Sequence, residues 1–143
     1  MKVINEFQGE YRWLSNFIGT IPSLGGVTPE HAYQAAKTSI PDEKAQVLAA
    51  PTPGEAKRLS RHITLSADWD QAKVGVMFML LQEKFSDPEM ADRLHATGDA
   101  ILIEGNMWHD NFWGNCNCQK CKSTFGKNWL GRLLMLVRSL QYC

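Results

Sequence analysis

The stretch Thr28-Pro29-Glu30-His31-Ala32-Tyr33-Gln34-Ala35-Ala36-Lys37 decides how the rest of the chain is read. Thr28 is a good N-cap, because its hydroxyl can accept a backbone N–H one turn further on. Pro29 then falls at the first helical position, where its missing N–H costs nothing. Positions i, i+3, i+4 and i+7 of such a helix share one face. That face carries Glu30, Tyr33, Gln34 and Lys37.

This predicted face is polar, although small alanines surround it. Glu30 and Lys37 are separated by roughly 10 Å along the helix axis, which is too far for an i,i+4 salt bridge. The separation suits two groups that flank a ligand. The plain alternative is a solvated helix face with a buried Tyr33.

Length, composition and charge limit the class of protein. The chain has 143 residues, 44% of them hydrophobic, which fits one domain with a real core. The formal net charge is zero, so no overall field draws the chain to nucleic acid or to a membrane. The segment after Asp110 contains basic residues and no acid, which would suit a phosphate-bearing ligand. No apolar run is long enough to span a bilayer, and the N-terminus is unlike a signal peptide, so we expect a cytoplasmic protein.

Most of the chain is predicted to be helical. Short strands are predicted at residues 3–7 and 101–104, and a hairpin at 17–27. Besides the Thr28 helix, capping and periodicity predict helices at 42–49, 52–61, 68–85 and 87–98, and a last one after Asn128. That last helix is apolar nearly all round and is expected to be central to the core. We therefore expect an α+β fold, mainly α-helical with a few short β-strands, as a single domain over residues 1–143.

Residues 106–127 form a long polar and aromatic loop in this prediction. Glu104 and Asn106 stand at the exit of the preceding strand, where site residues often lie. Trp108 and Trp113 are mixed with polar side chains, including Asp110. Aromatic faces with polar neighbours suit a flat ring such as a nucleobase. The structural alternative is that the two tryptophans fix the loop to the core.

Two further patterns lie near the end of this loop. Cys116, Cys118 and Cys121 could share a structural zinc ion, with His109 or Cys143 as the fourth ligand; the alternative is three reduced loop thiols. The run Gly126-Lys127-Asn128 precedes the last helix and is a weak candidate for a phosphate site at a helix N-terminus.

Taken together, these stretches resemble the NADAR family, the YbiA-like N-glycosidases. The matching segments stand in the family's order and cover nearly the whole chain. They are Trp13-Leu14-Ser15-Asn16-Phe17; Glu30 to Lys37; Glu104-Gly105-Asn106 with Asp110 and Trp113-Gly114; and Gly126-Lys127-Asn128 with Leu130-Gly131, Leu133-Leu134-Met135 and Arg138. The cysteine cluster is outside the family's core motif.

The resemblance implies a mostly helical α+β domain that hydrolyses the ribose C1′–N bond of a nucleotide-like substrate. One branch of the family acts on ribosylated pyrimidine phosphates of riboflavin synthesis. Another resembles a hydrolase that removes ADP-ribose from guanine in DNA, and so reverses toxin-type modification. We expect the second activity, with the first as the alternative.

The resemblance also implies roles for individual residues. The catalytic candidates are Lys37 and Glu30, followed by Asp110 and Glu104. The substrate-binding candidates are Asn16, Tyr33, Gln34, Asn106, Trp108, Trp113, Gly114, Lys127 and Asn128. Lys127 and the pair Arg58 and Arg61 would meet phosphate. Lys37 would either hold a phosphate or ring oxygen, or attack C1′ and form a Schiff base if burial keeps part of it neutral.

We expect catalysis to need no cofactor, and the partners to be an ADP-ribose conjugate and single-stranded DNA, with no membrane. Two other classes of function remain open. A non-catalytic module that binds ADP-ribose would use the same aromatic and basic residues. A zinc-ribbon-like interaction domain would rest on the cysteines alone.

Overall fold

The structure, a computed structural model, describes residues 1–141 and is built mainly from helices. The described part contains six α-helices and four strands of two residues each. The helices are α1 (Pro29–Ala35), α2 (Pro41–Leu48), α3 (Pro53–Leu59), α4 (Trp69–Lys84), α5 (Pro88–Ala96) and α6 (Trp129–Leu140). The strands are β1 (Val3–Ile4), β2 (Ile101–Leu102), β3 (Gly105–Asn106) and β4 (Asn115–Cys116). The predicted mainly helical α+β fold is confirmed.

The chain divides into two compact units, which are described separately. Asn16–Lys84 form the first, which we call the helical unit. Met1–Ser15 and the chain from Phe85 onward form the second, which we call the terminal unit. That residues 1–143 make up one domain stays a prediction.

In the helical unit, α1 packs against α2, α3 and α4. Each of the first three helices begins with a proline, and Thr28 and Thr52 accept backbone N–H groups at the starts of α1 and α3. Ala35, Val47 and Ala56 form a buried cluster between these helices. Small side chains at this point let the helix axes approach closely, which brings α1 into the interior of the unit.

Helix α1 is shorter than the sequence indicated. It ends at Ala35, so Lys37 lies in the turn beyond it. The Lys37 and Thr38 amides bond to carbonyls three residues back, at 3.3 and 3.4 Å, which tightens the last turn. Lys44 Nζ also donates to the Ala35 carbonyl at 3.3 Å, a favourable place for a cation.

Helix α4 is the long helix that the sequence predicted, one residue shorter at each end. It places Trp69, Met77, Leu80 and Leu81 in the core. With 16 residues it is shorter than the roughly 20 needed to cross a bilayer. Among residues 1–141, no helix is both long enough and apolar enough for that.

The predicted hairpin at 17–27 is wrong. Only one antiparallel bridge, between Ile21 and Val27, is present in that segment. A short 3-10 helix, Pro22–Leu24, follows Ile21, and Gly25 and Gly26 then take positive φ angles of 79° and 86°. Proline and left-handed glycines together make a tight loop in place of a strand ladder.

The terminal unit holds two small parallel sheets. β1 pairs with β2 in the register Val3–Ile101 and Ile4–Leu102, and β3 pairs with β4. Both predicted strands are therefore real but shorter than expected. The second ends early because the Gly105 amide bonds to the Ile103 carbonyl at 3.0 Å, which turns the chain sharply at Glu104.

Helix α6 packs against β2 and α5 with one face. Leu130, Leu133, Leu134 and Val137 are buried, as predicted. Leu136 and Leu140 are 43% and 47% exposed, so only one face of this apolar helix is buried, and the expectation that it would be central to the core is wrong. Gly131 allows the approach to β2, because a Cβ there would overlap the Leu102 carbonyl oxygen.

Truncation of leucines on the two faces of α6 should have unequal effects. Leu134 is fully buried, so we expect Leu134→Ala to lower the free energy of unfolding by about 2–5 kcal/mol, through lost burial and a cavity. Leu136→Ala, the same change on the exposed face, should cost about 0.5 kcal/mol or less. Urea unfolding of both variants checks this, and equal losses would contradict the assigned face.

Candidate active site

Helix α1 has no solvated face. All seven of its residues are buried, including Glu30, His31 and Gln34. Burying polar groups is costly unless they are paired, so their partners in the structure are informative. The alternative of a solvated polar face is therefore wrong for this helix, although Lys37 beyond its end is partly exposed.

Glu30 and Gln34 meet as buried polar side chains on α1, and buried Asn16 is joined to the helix through its backbone carbonyl. Gln34 Nε2 donates to Glu30 Oε1 at 2.8 Å, and the Glu30 amide donates to the Asn16 carbonyl at 3.0 Å. Asn16 Nδ2 contacts Met77 Sδ at 3.3 Å. Among the described residues, Asn16 Oδ1 and Gln34 Oε1 are buried amide oxygens for which the protein provides no donor. Such atoms call for a water or a ligand that donates hydrogen bonds.

Burial raises the pKa of Glu30 above its ordinary value of 4.5. The Gln34 hydrogen bond and the charges of Lys57, Lys37 and His31 oppose this rise, but burial is the largest effect. A carboxyl group of this kind keeps its proton at a higher pH than an exposed glutamate does. It is therefore suited to give a proton to a leaving group.

The pKa of Lys37 is shifted in the opposite direction from that of Glu30. Burial lowers its pKa from 10.5, Glu30 opposes the change, and the charges of Lys57 and Lys73 reinforce it. Its ammonium lies 5.3 Å from the centroid of the Tyr33 ring, and that ring packs edge-on against Trp69. A lysine whose pKa is lowered has more of the neutral amine, which is the nucleophilic form.

Sequence reasoning missed two cations in this region. Lys57 and Lys73 act on the pKa of Lys37, and Lys57 also acts on Glu30. Of the two arginines predicted to meet phosphate, Arg58 and Arg61, Arg58 is paired with Glu55 at 2.7 Å on the exposed surface. Lys57 and Arg58 are adjacent in sequence and therefore lie on different faces of α3. This spacing could have indicated that only one of them faces α1.

His31 has a positioning role in the structure. Its Nε2 lies 2.9 Å from the Ala50 carbonyl oxygen, and its Nδ1 lies 2.8 Å from Thr28 Oγ1. Because a carbonyl can only accept, Nε2 carries a proton and donates it to Ala50. His31 therefore ties the start of α1 to the chain after α2.

In the terminal unit, the side chain of Asn106 is fully engaged by its own loop. Oδ1 accepts from the amides of Trp108 and Asp110, at 3.2 and 3.1 Å. Nδ2 donates to the Asp110 carbonyl at 2.8 Å and reaches Glu104 Oε2 at 3.2 Å. These bonds favour a structural role for Asn106, and its predicted contact with substrate stays a prediction.

Asp110 and Glu104 are also held by neighbouring backbone. Asp110 Oδ1 accepts from the amides of Phe112 and Trp113, at 3.1 and 2.8 Å, which fixes the carboxylate in a tight turn. Glu104 packs directly against Gly114, where a Cβ would overlap its side chain and its carbonyl. Gly114 therefore serves the close approach of two segments.

Asn128 does not cap α6 through its side chain, which corrects the expectation from the sequence. It takes a left-handed conformation with φ 52°, and its side chain bonds to β2 and the turn that follows: Nδ2 to the Leu102 carbonyl and Oδ1 to the Glu104 amide. The amides of Trp129 and Leu130, at the start of α6, bond to loop carbonyls at 3.1 and 2.9 Å. These two amides are therefore not available to phosphate. The prediction that the backbone at this helix end binds phosphate is wrong.

The aromatic side chains of the loop are unequally exposed. Trp108 is 55% exposed and Phe125 is 96% exposed. Trp113 is partly buried and packs edge-on against Phe112, while Lys127 Nζ lies 5.6 Å from the Phe112 ring centroid. Trp108 therefore does not fix the loop to the core, and its stacking on a base stays a prediction, as does that of Trp113.

The predicted metal ligands come together in the same loop. His109, Cys116, Cys118 and Cys121 place their ligand atoms within 4.8 Å of one another. The other candidate for the fourth ligand, Cys143, lies outside the described residues.

Comparison with known proteins gives these residues a family context. The NADAR domain model matches residues 7–140, which include every candidate described above except Cys143. The chain belongs to the NADAR family.

Solved and curated NADAR relatives agree with this assignment. The NMR structure of the E. coli protein YbiA superposes with a TM-score of 0.82 and 30% sequence identity, over 96% of this chain and 83% of YbiA. A riboflavin biosynthesis protein of Vibrio vulnificus is 36% identical over 88% of this chain and 34% of its own length. The chloroplastic riboflavin biosynthesis protein PYRR of Zea mays is 34% identical over 78% of this chain and 19% of its own. The chain thus spans 34% and 19% of the lengths of these two curated relatives.

Replacement of Glu30 should change the pH dependence of stability. Because the native pKa is raised, the unfolded chain loses the Glu30 proton at lower pH than the native protein does. The wild type therefore loses stability as pH rises from about 4.5 to the native pKa, by up to about 1.4 kcal/mol per pH unit. Glu30→Gln removes this loss, so its stability relative to wild type should rise over that interval in urea unfolding.

Glu43→Gln is the matched control. Hydrogen bonds from Thr64 and Thr38 lower the pKa of Glu43, so its contribution changes only below 4.5. The difference between this variant and wild type should stay constant above pH 4.5. A flat difference for Glu30→Gln over the same interval would contradict the raised pKa.

Proposed function

We propose that this NADAR protein is an N-glycosidase that cleaves the C1′–N bond between a ribose and a base. The observation that carries the proposal is the pairing at α1 of a buried carboxyl group with a raised pKa and a half-buried lysine with a lowered pKa. One group can donate a proton and the other can attack carbon. A general acid and a nucleophile can together cleave this bond.

In the proposed reaction, neutral Lys37 attacks C1′ while the C1′–N bond breaks. The departing base nitrogen takes the proton from Glu30. The ribose ring then opens: its ring oxygen takes a proton, Nζ loses one, and a Schiff base forms between C1′ and Lys37. Water adds to C1′ and expels the lysine as its ammonium, which releases the ribose product. The ammonium returns a proton to the Glu30 carboxylate, so the neutral amine and the protonated acid are both restored.

The orphaned amide oxygens support a sugar ligand. Gln34 Oε1, on the side chain that bonds to Glu30, and Asn16 Oδ1, on the residue whose carbonyl accepts from the Glu30 amide, are hydrogen-bond acceptors, and ribose hydroxyls are donors that could satisfy them. A site built to bond hydroxyls also discriminates strongly against analogues that lack them. We therefore expect a 2′-deoxyribose substrate to react much more slowly than its ribose counterpart.

The names of the curated relatives favour a ribosylated pyrimidine phosphate of riboflavin synthesis as one substrate. The loop favours a second candidate, guanine in DNA that carries ADP-ribose. Exposed Trp108 and Phe125 are interspersed with exposed Lys120 and Lys122, and stacking rings among cations suit a single nucleic-acid strand.

A paired hydrolysis assay with mass spectrometry separates these substrates. One reaction holds a single-stranded oligonucleotide with ADP-ribosylated guanine, and the other holds the ribosylaminopyrimidine phosphate. Release of ADP-ribose in the first alone assigns DNA repair of this modification, and base release in the second alone assigns a metabolic glycosidase. Tight ADP-ribose binding with no release in either would replace the proposal with a binding module.

Lys37→Ala should reduce turnover on the active substrate by about 100-fold or more, because the nucleophile is lost. Cyanoborohydride should trap wild-type enzyme as a covalent adduct on Lys37, visible by peptide mass spectrometry. Lys2→Ala, at an exposed lysine in the terminal unit, should retain both turnover and the adduct. Full turnover by Lys37→Ala would exclude the Schiff-base route.

Asp110→Asn distinguishes a chemical from a structural role for this residue. An asparagine can keep the two backbone bonds to Oδ1, so the loop should stay folded. If the negative charge stabilises the developing positive charge on the sugar, kcat should fall by about 10²–10⁴-fold with little change in thermal stability. Unchanged kcat would assign Asp110 to loop structure alone.

A further inference from the structure

We infer that the loop carries a structural zinc site formed by His109, Cys116, Cys118 and Cys121. This site does not depend on the proposed function, because all four ligands lie in the terminal unit and no step of the reaction uses them. Three thiolates and one imidazole give a common structural zinc ligand set.

The distances within the cluster fit a tetrahedral ion. His109 Nδ1 lies 3.3 Å from Cys118 Sγ, 3.4 Å from Cys121 Sγ and 3.9 Å from Cys116 Sγ. Zinc–ligand bonds of about 2.3 Å to sulfur and 2.0–2.1 Å to nitrogen, at tetrahedral angles, put nitrogen and sulfur about 3.5 Å apart. The observed distances lie on both sides of this value. The three nitrogen–sulfur distances are therefore close to those around a zinc ion, and all four ligand atoms lie within 4.8 Å of one another.

The backbone around the cluster is arranged for negatively charged sulfur. The amides of His109 and Cys118 both donate to Cys116 Sγ, at 3.3 and 3.4 Å. Such N–H donors surround thiolates bound to metals and offset their charge. His109 also adopts a positive φ of 69°, which is uncommon for residues other than glycine. In this conformation its Nδ1 lies within 3.9 Å of all three sulfurs.

A disulfide explains the cluster less well. It would pair two sulfurs, leave the third unpaired and give the imidazole no role, although His109 Nδ1 is close to all three. A metal uses all four groups. It also leaves no open coordination position, so the ion would be structural and take no part in catalysis.

The ion would join two parts of the loop. Cys116 ends β4, which is paired with β3, and Cys118 and Cys121 lie in the turn that follows. His109 precedes Asp110, whose carboxylate organises the next turn. Zinc would therefore fix the 116–121 turn against the segment that presents Asp110.

The test is metal analysis of full-length protein expressed without a histidine tag and purified without chelators. Wild type should contain about one zinc per chain by plasma mass spectrometry. His109→Ala and Cys118→Ser should lower zinc occupancy by about tenfold or more. Matched controls are His95→Ala, at an exposed histidine on α5, and Cys143→Ser, and both should retain the metal.

A second measurement covers the case in which a ligand variant fails to fold. Wild type stripped of metal should bind one cobalt ion with the intense visible bands of tetrahedral thiolate coordination. Its three loop thiols should resist alkylation until a chelator is added. Wild type with no bound zinc, a Cys118–Cys121 disulfide by mass, or zinc retained by His109→Ala and Cys118→Ser would overturn the inference, as would loss of zinc from Cys143→Ser.

Discussion

The helical unit depends on the burial of α1. A seven-residue helix is too short to be stable alone, so its packing against α2, α3 and α4 holds it. The same burial takes Glu30 out of water and raises its pKa, and the i,i+4 spacing on the helix places Gln34 in hydrogen-bonding contact with it. The stability of α1 and the raised pKa of Glu30 therefore have the same cause, which is burial. The interactions that complete the core of this unit also produce the unusual proton affinities beside it.

In the terminal unit, hydrogen bonds from side-chain amides do much of the work that regular secondary structure does elsewhere. Asn106 bonds to backbone groups of its own loop and Asn128 bonds to β2 and the turn that follows it, and the short strands supply few ladder bonds of their own. Close contacts at Gly114 and Gly131 bring these segments together. A loop of this length can then present Asp110 in a defined place, because its polar groups are satisfied within the loop.

The sequence predicted the elements whose signals are local. The Thr28-Pro29 start of α1, the long α4 and the buried face of α6 all follow from capping and periodicity. It did not predict the extent of the strands, because β1 pairs with β2 from the far end of the chain and register is not visible in either segment alone. The effect of Lys57 and Lys73 on the pKa of Lys37 was also missed, because it depends on residues that are distant in the sequence. The role of Asn128 was missed because it depends on a left-handed backbone conformation that sequence does not reveal.

The shortness of α1 has a consequence for folding. Since this helix gains its stability only from its three neighbours, it should become ordered after they have assembled. Glu30 and Lys37 would then have ordinary proton affinities in any partly folded state, and acquire shifted ones only at the last cooperative step. Local opening at α1 would abolish the shifted proton affinities of the site, while most of the polypeptide keeps its secondary structure.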